Sequence, residues 1–168
     1  MAFPNKINTG LARGVPGDIA TYSPHRGTAR FLQSTDAANN VFGRYFTLNT
    51  VGEEVYAQAG GMGAFGGILV HSKEHARCLC GNDPLFSLPN GKWGTLLEMG
   101  CVYIQLPTGV TAKEGDLVKY TVATGVLGVG EVTPPAEGQD ATEAQVPNAV
   151  IYRGNVADGD IAVIKITN

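Results

Sequence analysis

The chain has 168 residues, of which 43% are hydrophobic and only 16% charged, with 23 Gly and 9 Pro. That apolar content excludes a disordered chain, and the length suits one domain with a core of its own. The net charge is −3 and the 12 Lys and Arg stand singly, without the basic stripe of a nucleic-acid binder.

No apolar run reaches the roughly 18 residues of a membrane-spanning helix, so no membrane partner is expected. The first ten residues contain no apolar h-region, so synthesis in a cytosol without a secretory signal is expected. Three cysteines, an odd number, argue against a disulfide framework.

In chain order, residues 1–17 come first, with two Pro, three Gly and no sustained periodicity; they read as an extended arm preceding one β domain over 18–168. Phe3, Ile7, Leu11 and Val15 recur at four-residue intervals, but Pro4, Gly10, Gly14 and Pro16 prevent a stable helix. Those side chains have no amphipathic helix through which to be buried. Together with Arg13 they are the expected subunit contacts, with Lys6 and Arg13 pairing with acidic groups of the partner.

Short strand-like runs follow at 28–32, 44–48, 54–58 and 67–71, with 49–53 as a hairpin loop and 34–40 as one helical turn capped by Ser34 or Thr35. Two more runs, 96–99 and 101–106, precede strands at 116–121, 126–129, 148–153 and 161–166. In the 101–106 run, Val102, Ile104 and Leu106 share one face and Tyr103 and Gln105 the other. Residues 133–145 form an acidic, Pro-containing insertion, a surface loop placed to meet a neighbouring subunit. About nine to eleven short strands separated by turn signals predict an all-β antiparallel sandwich or barrel.

Few chemical constellations survive scrutiny. Gly61, Gly63 and Gly66 spell G-x-G-x-x-G, but a strand-like run follows where dinucleotide binding needs a helix, so a glycine-rich turn is expected. His71, His75, Cys78 and Cys80 have partial zinc-ligand spacing, yet Cys-x-Cys is tighter than usual and ordinary packing is the simpler reading. Cys101 opens a buried strand and lacks a base beside it in sequence, and no G-x-S-x-G elbow occurs. Glu53-Glu54 and Glu114/Asp116 read as solvated turn residues. No catalytic residue, metal, cofactor or small-molecule substrate is expected. Trp93, in Asn90-Gly91-Lys92-Trp93-Gly94, is either a plug at the core's edge or a stacking face for a ligand.

The order of several motifs resembles the structural cement proteins of tailed phages. Arg13-Gly14-Val15-Pro16-Gly17-Asp18 with Ser23-Pro24 is similar to their opening segment. Phe42-Gly43-Arg44-Tyr45-Phe46 resembles the strand after their first loop, and the glycine-led run 65–70 follows it. Residues 98–103 with 110–117, including Gly115-Asp116, resemble a later paired-strand module, and Gly159-Asp160 with its strand resembles the close of the chain. The Cys-x-Cys segment and the acidic loop depart from that pattern.

The resemblance implies a jelly-roll-like β fold without catalytic residues. It also implies a homodimer or homotrimer on the capsid exterior that bridges neighbouring major capsid proteins. Synthesis in the host bacterial cytoplasm and residence in the virion follow. The competing reading is a carbohydrate- or receptor-binding β-sandwich module of a phage tail or cell surface.

Overall fold

The computed structural model describes residues 14–20, 24–71, 87–136, 138–155 and 160–167. Nine strands lie within them: β1 Arg26–Phe31, β2 Tyr45–Val51, β3 Glu54–Ala59, β4 Ala64–Val70, β5 Trp93–Gln105, β6 Leu117–Thr121, β7 Leu127–Val129, β8 Glu143–Arg153 and β9 Ile161–Ile166. They form one sheet in the order β3-β2-β4-β5-β9-β8-β6-β7, with β1 joined to β5. Every strand pair is antiparallel, as expected from the short runs and turn signals. The sheet is not closed; where the chain leaves β1 it meets β3 through a single parallel bridge, Leu32 to Ala57.

β5 organises the molecule. The sequence splits it into two runs at Gly100, yet it continues for 13 residues. Its first half pairs with β1 and β4, and from Gly100 onward it pairs with β9. Alternation therefore places its side chains in two different cores. Leu96 joins Leu32, Phe46, Ala57 and Leu69 in a smaller cluster around β1–β4. Leu97, Val102 and Ile104 join a larger cluster with Ile68 on β4, Ile151 on β8 and Ile164 on β9.

Residues of β2 and β4 thus pack on residues of β6, β8 and β9, so the curled sheet lays one half over the other. Tyr45 and Tyr120 touch across that seam, with ring centroids 4.2 Å apart. Burial, with Tyr120 beside it, pushes the Tyr45 hydroxyl well above the usual phenol range. Each fully buried Ile or Leu contributes about 1.5–3 kcal/mol. The expected faces of β5 hold: Val102, Ile104 and Leu106 are buried, while Tyr103 is half-buried and Gln105 exposed.

Several local readings need correction. The helical turn is a 3-10 turn at Ala37–Asn39, and its cap is Asp36, whose carboxylate accepts from the Ala38 N–H at 2.9 Å. Ser34 is engaged elsewhere. Its hydroxyl donates to Asn40 Oδ1 at 2.5 Å and accepts from the Ala59 N–H at 2.8 Å. Asn90 Oδ1 accepts from Ser34 N and Asn40 Nδ2, so a small polar network fills what would otherwise be unpaired buried groups.

The hairpin loop is shorter than residues 49–53, because β2 runs to Val51 and β3 restarts at Glu54. The acidic loop ends earlier than 145. Residues 143–145 already belong to β8, and Lys119 on β6 pairs with Glu143 at 2.7 Å. Pro147 lies inside that strand, opposite a shift in the β6 register, where its missing N–H is tolerated.

Candidate functional site

The root of the arm is part of the sheet's edge. Gly17 N donates to Tyr103 O at 2.8 Å, Tyr103 N to Asp18 O at 2.9 Å and Ala20 N to Cys101 O at 2.8 Å, so residues 17–20 line β5 antiparallel on the side away from β9. His71 N donates to Gly17 O at 2.9 Å, tying the same segment to the end of β4. Gly14 lies against the Tyr103 ring, where a Cβ would stand 2.6 Å from Cε2. Of the five expected contact residues only Val15 is among the described residues, and it is 41% exposed. Phe3, Ile7, Leu11 and Arg13 lie outside them. Gly17, read as the last residue of the arm, is buried.

His71 does not stand at an open polar end; its ring stacks on Phe42 at 3.9 Å between centroids. His75, Cys78 and Cys80 lie outside the described residues. Among the described residues no group of three His, Cys, Asp or Glu could hold a metal. Cys101 is buried in the middle of β5. The glycine cluster is a turn that runs into β4 at Ala64, which removes the helix N-terminus that a dinucleotide would need.

Two exposed aromatic rings meet on the surface of the β1–β5 ladder. Trp93 is 60% exposed, so it does not plug the core. It sits opposite Phe31 in the β1–β5 ladder, and the two rings meet edge-on at 6.0 Å. Phe31 is itself 38% exposed. The pair is placed by strand alternation: Arg30 and Gly94 point to the opposite face, where a Cβ on Gly94 would stand 2.7 Å from Leu69 Cδ1. Sequence reading missed Phe31, because a lone Phe in an alternating run reads as core until the register places it beside an exposed Trp.

The geometry offers surfaces for contact and no assembled catalytic group among the described residues. The family model described as structural cement protein (E217 gp24/Pam3 gp6) matches residues 3–167. The chain belongs to the structural cement protein family. Its role is that of a phage structural protein in capsid decoration, as the order of motifs implied. A chain in the solved structure "The capsid of Myoviridae Phage XM1" shares 12% identity, with 100% of this chain and 99% of that chain covered and a TM-score of 0.64. At that identity the likeness speaks for the fold of the cement protein alone. No curated protein matches the chain.

Proposed function

We propose that the protein sits on the exterior of a tailed-phage capsid as a homodimer or homotrimer and bridges neighbouring major capsid proteins, without catalytic activity. The observation that carries this reading is the family match from residue 3 to residue 167, which takes in the arm as well as the sheet. The structure supports it by what it leaves on the surface. Val15, Ile19, Phe31 and Trp93 are large apolar side chains with substantial exposure. A cement subunit resists separation, and many modest contacts repeated over a shell sum to a large effect.

A second reading, a carbohydrate- or receptor-binding module, is favoured by the exposed Trp93 ring, since exposed aromatic faces stack on sugars as readily as they anchor proteins. Trp93 is the chain's one tryptophan, so its fluorescence separates the two. On the proposed function, adding capsids that lack the protein shifts the emission to the blue, and Trp93→Ala weakens attachment about 10–100-fold, the range of an interface anchor. Emission that shifts with glycans and stays fixed with capsids contradicts the proposal and supports the second reading.

A further inference from the structure

Arg44 stands just before β2, half-buried, and lines a groove of about 270 Å³ with Gln105, Thr108, Val126 and Leu127. Its guanidinium donates through Nη1 alone, to Asn39 Oδ1 at 2.7 Å and to Thr124 O at 3.3 Å. Both acceptors are neutral. Among the described residues no carboxylate lies within ion-pair distance, and Nε and Nη2 have no acceptor. Asp36 lies close enough to favour the charge, but it makes no ion pair with Arg44, and its Oδ1 accepts from the Ala38 N–H. Asp160, near the rim, holds the Thr108 hydroxyl at 3.2 Å. Burial lowers the Arg44 pKa, so the site bears the cost of a charge that no bonded anion offsets. The unused edge of the fork is the edge that receives a carboxylate in a bidentate pair.

The same chain carries the matching group. Between Lys119 and Arg153 there is no Lys or Arg, and this stretch contains Glu131, just before the acidic loop, and Asp140 within it. Both are exposed, and neither makes an ion pair among the described residues. We propose that an exposed carboxylate at or just before the acidic loop of one copy, Asp140 or Glu131, seats on the open fork of Arg44 in a second copy, joining cement subunits to each other. The inference rests on the self-association in the proposed function and not on capsid attachment. The groove and the loop are different parts of the surface, so the contact is either exchanged reciprocally across a two-fold axis or passed head to tail around a ring.

The test uses the full chain without capsids, by sedimentation equilibrium at low and high salt. Glu131→Gln with Asp140→Asn, both on an exposed loop, should weaken association at least about 10-fold at low salt, in the range of charge-pair couplings at interfaces. Arg44→Glu should do the same. Arg44→Glu combined with Glu131→Arg and Asp140→Arg should regain most of the loss. Because the loop substitutions touch no packed residue, they keep the test meaningful if Arg44→Glu lowers stability. Association that is unchanged by the loop substitutions overturns this contact while leaving self-association intact. A wild-type chain that stays monomeric throughout overturns self-association as well.

Discussion

Gly125→Ala and Gly60→Ala should each cost about 2–5 kcal/mol, read as a lower urea midpoint with an unchanged slope. These glycines interlock two turns from opposite halves of the curled sheet. Tyr45 N donates to Gly125 O, Gly60 N to Tyr45 O and Gly61 N to Val122 O, at 2.9, 2.9 and 2.7 Å. Both glycines have positive φ, 70° and 67°. A Cβ on Gly125 would collide with Tyr45 O, and one on Gly60 with Val122 O. The obstructing atoms are backbone in both cases, so no rotamer change relieves the clash.

The left-handed conformation costs a substituted residue about 1–2 kcal/mol, and overpacking adds about 1–3. Gly138 separates the two terms: its φ is 84° and a Cβ there would meet nothing within 4 Å. Gly138→Ala should therefore cost only the conformational part. Equal losses at Gly125 and Gly138 would mean that the turns do not hold the halves together. Against a total stability of about 5–15 kcal/mol, the larger loss would leave the subunit marginal.

The second large effect concerns the arm. Deleting residues 2–12 should leave the melting temperature of the isolated subunit nearly unchanged and reduce capsid affinity or oligomer stability at least 100-fold. Phe3, Ile7 and Leu11 can each contribute about 1.5–3 kcal/mol when removed from water, against about 1–2 kcal/mol per residue for ordering the chain. Those three side chains alone do not offset the ordering cost, so attachment of the arm requires a groove that is already formed, as between subunits, and that adds backbone hydrogen bonds and further contacts. The deletion stops short of Gly14–Ala20, whose hydrogen bonds to β5 and β4 belong to the fold. A steep fall in melting temperature with unchanged capsid binding by the folded fraction would assign the arm to the core.

The fold class was legible because alternation survives in isolation. Val102, Ile104 and Leu106 announce a strand with one buried face, whereas β9 reads as a short apolar run whose Ala162, Val163, Ile164 and Ile166 are all buried. The continuity of β5 was not, because Gly100 reads as a break while the ladder carries through it to Ile166, far away in sequence. The first residues of β8 read as loop, since Glu143, Ala144 and Gln145 belong to an acidic stretch until the pairing with β6 holds them.

Sites were harder still. Trp93 and Arg44 take their meaning from register and burial, which depend on partners distant along the chain. The family pattern was legible through the order of weak turn and strand motifs, none of which forms a chemical site.

Capsid opening tests the central claim most directly. Particles assembled without this protein, filled with DNA and heated in parallel with complete particles, should have complete shells but open at a lower temperature, or at a lower external salt concentration at fixed temperature. Adding the purified protein back should restore the complete-particle threshold. Shells that fail to form without it would make it a scaffold or lattice protein, and shells that open at the same threshold with and without it would contradict a cementing role.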